Sequence, residues 1–226
     1  MIITIDGAAG TGKTTVAKQV ADSLHFAYFD TGAMYRAVTW AILQKNISLD
    51  NTKFIGELLD SFTFIIKHED SHKSYFVGNE EVTEAIRSVQ VTSYVSAVAA
   101  LPMVRQVLWK IQRRFAERED AVFEGRDLGS VVFPDAEVKI FLTGRPEVRA
   151  ERRFHEMMQK NPQEMEHFDI NHMMGELVRR DKLDSTRELA PLICPEQAYV
   201  IDTSDLSLTE VVERILIYVR SRPYFV

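Results

Sequence analysis

Gly7, Gly10, Gly12, Lys13 and Thr14 stand at the spacing GxxxxGKT, and the chemistry open to that spacing is the handling of phosphate. Glycines let successive backbone N–H groups turn toward one point, and a helix that follows adds the positive end of its dipole. A lysine in the loop reaches the β and γ phosphates of a bound nucleotide, and a threonine hydroxyl is a ligand for Mg²⁺. The contacts expected to a nucleoside triphosphate therefore run through Gly7, Ala8, Ala9, Gly10, Thr11, Gly12, Lys13, Thr14 and Thr15, with Lys13 catalytic and Thr14 on the metal. A chance glycine turn before a helix is the bland alternative. The flanks argue against it: residues 2–5 form a β-branched run, and residues 13–24 carry apolar side chains at helical spacing. ATP or GTP binding is the expectation, and a signalling GTPase is disfavoured because no NKxD segment occurs in the 226 residues.

A second chemistry is carried by arginine. Twelve of the seventeen arginines lie between positions 105 and 187, in a chain whose net charge is −6. An acidic balance argues against a general nucleic-acid binder. Guanidinium forks gathered in an acidic protein suit a small polyanion, since they match phosphate oxygens two at a time and keep their charge; solvated helix faces are the competing explanation. Asp30, Thr31, Gly32, Tyr35 and Arg36 form a further group where a strand runs into a helix. Arg36, expected on that helix's first turn, is placed to hold a phosphate, while Asp30 or Thr31 could equally serve as a helix cap.

Positioning these groups requires an alternation of strands and helices. Apolar runs at 121–125, 138–142 and 198–202 read as strands buried on both faces, and helical periodicity marks 33–44, 92–98, 104–118 after Pro102, and 206–222. The expected architecture is α/β, a P-loop doubly wound parallel sheet with ligands at the strand carboxyl ends. Residues 62–83 break the alternation: FTFIIK and SYFVGN read as paired strands around a polar HEDSHK turn, with a third short strand near Val82. Residues 144–190, rich in Arg, Glu, Met and Lys with Pro162 between two amphipathic stretches, read as a helical lid. The organisation expected is one kinase unit: a core of 1–60, 100–143 and 191–226, an inserted β module at about 61–99, and the lid.

The single cysteine, Cys194, excludes an internal disulfide and is expected to be ordinary packing. No apolar run approaches the roughly 18 residues of a membrane span, and the first ten residues lack the pattern of a signal peptide, so a cytoplasmic location is expected.

GAAGTGKT, DTGAMYR and the run EGRDLGSVVFPDA at 124–136 together resemble the bacterial-type cytidylate kinases over nearly the whole chain. The β insertion separates the chain from the uridylate-cytidylate kinases that look like adenylate kinase. The resemblance implies in-line transfer of the γ-phosphoryl group of ATP to CMP or dCMP, with Mg²⁺. It implies that Ser96, Arg105 and Asp127 read cytosine, that Thr31, Arg36 and Arg126 hold the acceptor and its phosphate, and that Arg180, Asp184 and Arg187 contact the nucleotide, Asp184 on ribose hydroxyls. Arg126, Arg180 and Arg187 would join Lys13 as catalytic groups.

Read alone, Ser96 would be a helix-packing serine, Arg105 a solvated arginine, and Arg180 with Asp184 an intrahelical ion pair. Thr31 stands where the family often has serine, and Glu124 where it often has aspartate. Among Arg145, Arg149, Arg152 and Arg153, Arg149 and Arg153 are the ones expected to reach ATP phosphates. The partners implied are ATP and CMP or dCMP, with no nucleic acid or membrane, in a monomer. A kinase of a small metabolite such as shikimate, or an ATP-binding regulatory module without turnover, are the competing readings.

Overall fold

The computed structural model describes residues 1–69, 72–160 and 169–223. In chain order the elements are β1 (Ile2–Gly7), α1 (Lys13–Leu24), β2 (Ala27–Asp30), α2 (Thr31–Gln44), α3 (Thr52–Asp60), β3 (Phe64–Glu69), β4 (His72–Val77) and β5 (Glu80–Glu81). There follow α4 (Val89–Ala100), α5 (Pro102–Ala116), β6 (Ala121–Gly125), β7 (Val138–Thr143), α6 (Pro146–Lys160), α7 (Ile170–Thr186), β8 (Tyr199–Asp202) and α8 (Leu208–Arg220). By packing, the chain divides into two units, Met1–Asp30 with Phe115–Val226, and Thr31–Arg114.

The first unit holds a five-stranded sheet in the order β2-β6-β1-β7-β8, parallel throughout. Ile3, Ile5, Val122, Ile140 and Leu142 have no exposed surface, as strands covered on both faces require. α1 and α8 supply Val16, Val20, Val212 and Ile215 to the same core. α8 starts cleanly because Ser207 and Glu210 cap each other's backbone amides. Register sets Asp6 beside Gly125 and Gly7 beside Leu142, so the carboxyl ends of β1, β6 and β7 lie together and aim their loops to one side.

α6 and α7 pack on each other, and a small apolar cluster of Ala150, Met173 and Leu177 seats them against Ala9. Pro162, expected between them, lies outside the described residues. Cys194 is exposed, contrary to the packing expected of it; the loop that carries it turns at buried Pro195 and leaves the thiol outside.

In the second unit α2 packs against α4 and against the 85–87 turn, with α3 alongside. The helix expected from residue 33 begins at Thr31, which moves Arg36 from the first turn to the second. α4 runs longer than expected, because Ser88 caps it by accepting from the Val91 amide. α3, started by the Asn51 side chain accepting from the Phe54 amide, was not legible in advance. β3, β4 and β5 form an antiparallel sheet in which Phe64 pairs with Val77 and Val77 with Glu80. Of the expected HEDSHK turn, His68 and Glu69 remain in the β3 ladder and His72 and Lys73 in the β4 ladder, while residues 70 and 71 lie outside the described residues. No single helix among the described residues is long and apolar enough to cross a membrane.

Candidate active site

The loop 8–12 joins β1 to α1, and its backbone is committed to curl inward. Gly10 adopts φ 76°, and a Cβ there would lie 2.8 Å from the Arg149 carbonyl oxygen. Gly12 adopts φ 85° with open space where a side chain would point. Gly12 is also the N-cap of α1 and no side chain caps that terminus, so the first-turn amides stand ready for an anion. Lys13 folds back over this loop, donating from Nζ to the Ala8 carbonyl at 2.6 Å. Burial drives its pKa well below the ordinary 10.5, and the positive charges of Arg126 and Arg180 push it further in that direction. The carboxylates of Glu124 and Asp6 oppose them, so Lys13 stands among charges of both signs.

Two carboxylates occupy the floor of the same site. Asp6, wholly buried, accepts from the amides of Leu128 at 2.9 Å and Gly129 at 2.8 Å. Burial lifts its pKa from 3.8 to about 7, against the pull of those two amides. Glu124 accepts from Tyr28 at 2.5 Å and from the Thr14 hydroxyl at 3.0 Å. Burial, then the negative charge of Asp30, raises it from 4.5 to about 7. A hydroxyl bonded to a carboxylate whose own ionisation is suppressed is an oxygen donor set that a hard cation would relieve, so Thr14 and Glu124 fit Mg²⁺. Among the described residues no group of three or more His, Cys, Asp or Glu could hold a metal alone.

Past β6 the chain makes a π turn at Leu128–Val132, with Asp127 just ahead of it and Arg126 donating to the Gly7 carbonyl. This turn meets the end of α7. Asp184 pairs with Arg126 at 3.3 Å and with Arg187 at 3.6 Å, and Arg187 also reaches Asp127 at 3.4 Å. The structure thus brings Arg126, Asp127, Asp184 and Arg187 into one cluster, in which Asp184 meets the C-cap residue of its own helix, Arg187, and Arg126 from the loop after β6. Arg180 lies on α7 one turn before Asp184.

In the second unit Arg36 donates to the Thr92 hydroxyl at 2.8 Å and toward the Ile86 carbonyl at 3.4 Å. Ser96, half-buried, follows Thr92 by one turn of α4, so Arg36, Thr92 and Ser96 share a surface. Thr92 was missed from the sequence, where the i, i+4 spacing to Ser96 was the available signal. Thr31 is buried at the start of α2. Arg105 is not the solvated residue its composition suggested: it is 1% exposed, donates to the Ala99 carbonyl at 3.0 Å and lies over the rings of Tyr35 and Trp109.

The arginines of α6 also depart from expectation. Arg149, expected on ATP phosphates, is buried and donates to the carbonyls of Gly144 and Ala9 and to Asp181. Arg152 donates to the hydroxyl and carbonyl of Thr203. Arg152 and Arg153, with Gly12, Thr15, Thr203 and Leu206, line a cavity of about 310 Å³ beside the phosphate loop, a place the sequence did not reveal.

A cytidylate kinase family model matches residues 3–221. The chain belongs to the cytidylate kinase family. A cytidylate kinase of Protochlamydia amoebophila is 53% identical over 220 residues, covering 96% of both chains. Those of Halalkalibacterium halodurans and Chlamydia trachomatis serovar L2 are each 43% identical, covering 98% and 96% of both chains. Among solved structures, an uncharacterised protein of Eubacterium ventriosum aligns with TM-score 0.51 at 15% identity, over 98% of this chain and 99% of that one. A shikimate kinase of Bacteroides thetaiotaomicron aligns with TM-score 0.50 at 16% identity, over 97% and 98%. At that identity the likeness is one of fold alone.

Proposed function

We propose that the protein transfers the γ-phosphoryl group of ATP to CMP or dCMP, giving ADP and the nucleoside diphosphate. The observation that carries the reading is the meeting of Lys13 and Arg126 at a glycine loop that leads into an uncapped helix start, in a chain of this family. A monophosphate acceptor is already ionised near neutral pH, so its oxygen attacks phosphorus without a general base. The protein's task is to hold mutually repelling phosphates in line and to stabilise the charge that spreads in the transition state.

In this reading Gly7, Ala8, Ala9, Gly10, Thr11, Gly12, Lys13, Thr14 and Thr15 bind the donor's phosphates, and the cavity lined by Arg152, Thr203 and Leu206 takes its base. Thr14 and Glu124 would hold Mg²⁺, which supplies charge neutralisation on the donor phosphates when bound. Arg36 and Arg126 bind the acceptor phosphate, and Arg180 and Arg187 steady the transferring group. Asp184 contacts ribose, and Thr31, Ser96, Arg105 and Asp127 fix the acceptor. A carboxylate at Asp127 suits the amino group of cytosine and would face a carbonyl in uracil.

Residues from about 144 to 190 serve as the lid, and residues from about 61 to 99 as the inserted acceptor-binding module. We take the protein to act as a cytoplasmic monomer on small molecules, without nucleic acid. ADP formation with ATP-Mg²⁺ and each of CMP, dCMP, UMP, AMP, GMP and shikimate tests the reading. Turnover with CMP and dCMP above all others is expected; preference for another acceptor, or none, overturns it.

A further inference from the structure

Arg149 is a buried guanidinium whose donors go to three different places. Nε donates to the Gly144 carbonyl at 2.9 Å, at the turn that leads into α6. Nη1 donates to the Ala9 carbonyl at 3.0 Å, inside the phosphate loop, and to Asp181 Oδ2 at 2.6 Å, on α7. Only 6% of the arginine side chain and 22% of the aspartate's is exposed. The contact does not stop at one pair. The backbone of Arg149 sits so close to Gly10 that a Cβ on that glycine would meet it, and Ala9 belongs to the apolar cluster formed by Ala150, Met173 and Leu177.

Met173, Leu177 and Asp181 repeat at i+4, so one stripe of α7 runs from the apolar cluster to the ion pair. The adjoining stripe carries Arg180 and Asp184, and Asp184 is the residue that engages Arg126 and Arg187. A helix is stiff over this length. Displacing Arg180 or Asp184 moves Asp181, and Asp181 shares its arginine with a carbonyl of the phosphate loop.

We propose that Arg149 and Asp181 are positioning residues that tie the phosphate loop to α7, so that filling of the donor site and filling of the acceptor site each favour the other. The inference rests on the assignment of ATP and CMP given above. A buried arginine shared between two carbonyls and one carboxylate tolerates few arrangements, because each donor moved away from its acceptor leaves a desolvated group behind. Loop and helix are therefore held in matched positions, and binding energy spent on ordering one is not spent again on the other.

The test is calorimetry on the full-length protein. Affinity for CMP is measured with and without a non-hydrolysable ATP analogue and Mg²⁺, and affinity for the analogue with and without CMP, in the wild type, Asp181→Asn, Arg149→Lys and Arg179→Ala. Mutual enhancement of about five- to a hundredfold is expected in the wild type, equal in both directions as linkage demands. Asp181→Asn, partly exposed and of unchanged shape, should bring the enhancement toward onefold while each ligand alone binds within about threefold of the wild-type value. Arg149→Lys, which keeps the charge but loses the fork, should fall in between. Arg179 shares α7 but pairs on the surface with Glu176, so its variant should keep the full enhancement. Enhancement in Asp181→Asn equal to the wild type, or absent from a wild type that binds both ligands, overturns the inference. A wild type that binds the analogue and not CMP overturns the assigned acceptor instead.

Discussion

The phosphate loop and the cluster around Asp184 meet at one end of the same sheet, yet they are made of different material. The loop is backbone: amides turned inward by glycines, followed by a helix start that no side chain caps. The cluster is side chain: Arg126 and Arg187 against Asp127 and Asp184, each arginine facing a carboxylate at 3.3 to 3.6 Å. Backbone donors have no acid to give up before a phosphate arrives, whereas under the proposed assignment the arginines would exchange a carboxylate for a phosphate oxygen. In that reading the loop is built in place, and the cluster is built to be rearranged. Such an exchange keeps each buried charge paired throughout, which limits the desolvation cost.

Lys13→Ala tests the loop most severely, through the charged side chain that folds back over it. Loss of a contact that strengthens in the transition state should lower kcat by about a thousandfold with the thermal unfolding transition retained, in steady-state assays of the purified variant. A rate near the wild type would break the comparison at its root. Asp127→Ala tests the rearranging half: the acceptor KM should rise about ten- to a hundredfold, the size of a lost hydrogen bond to a charged group, with ATP affinity within about threefold by calorimetry. Equal losses for donor and acceptor would erase the distinction between the two regions.

The floor beneath both regions should be visible in stability. Asp6 and Glu124 each titrate at about 7 as folded, against 3.8 and 4.5 for ordinary carboxyls. Between those limits the folded chain retains protons that the unfolded chain has lost. Stability should therefore fall as pH rises from about 4 to 7, by up to about 1.4 kcal/mol per pH unit for each group. Urea unfolding of Asp6→Asn at pH 5, 6 and 7 should give a dependence shallower by about 1 kcal/mol per unit. The smallest effect belongs to Arg179→Ala, whose exposed pair with Glu176 should be worth no more than about 0.5 kcal/mol in the same measurement.

The same contrast governs what the sequence disclosed. Gly7 to Thr15 could be read at once because the function of that stretch lies in local spacing and in the two elements flanking it. The parallel sheet followed from runs such as AVFEG and VKIFL, whose unbroken apolarity admits few other settings. The pairing of Asp184 with Arg126 could not be read from spacing, because Arg126 comes from the loop after β6 and only the topology carries it there. Arg149 illustrates the limit best. Charge density on an amphipathic helix gives no sign that Arg149, among the three arginines of α6, is the one buried, since that depends on which carbonyls the neighbouring loop leaves open. Cys194 was misjudged for a related reason: burial of a small residue in a loop is set by the path of the loop, not by its own preference.

The sheet order carries a consequence for how the chain reaches this state. β1 is the central strand and precedes both its neighbours in the chain, and its Ile2 waits for Ala121 on one side while Ile3 waits for Val138 on the other. The strand that carries the phosphate loop therefore leaves the ribosome as an apolar segment without neighbours, and the chain must extend to β7, ending at Thr143, before it can be enclosed. Closure of so long a loop precedes any gain from the central ladder, which makes a slow, late step of the very element that is simplest to recognise. Until then Ile2, Ile3 and Ile5 are the residues of this enzyme most in need of shelter during its own birth.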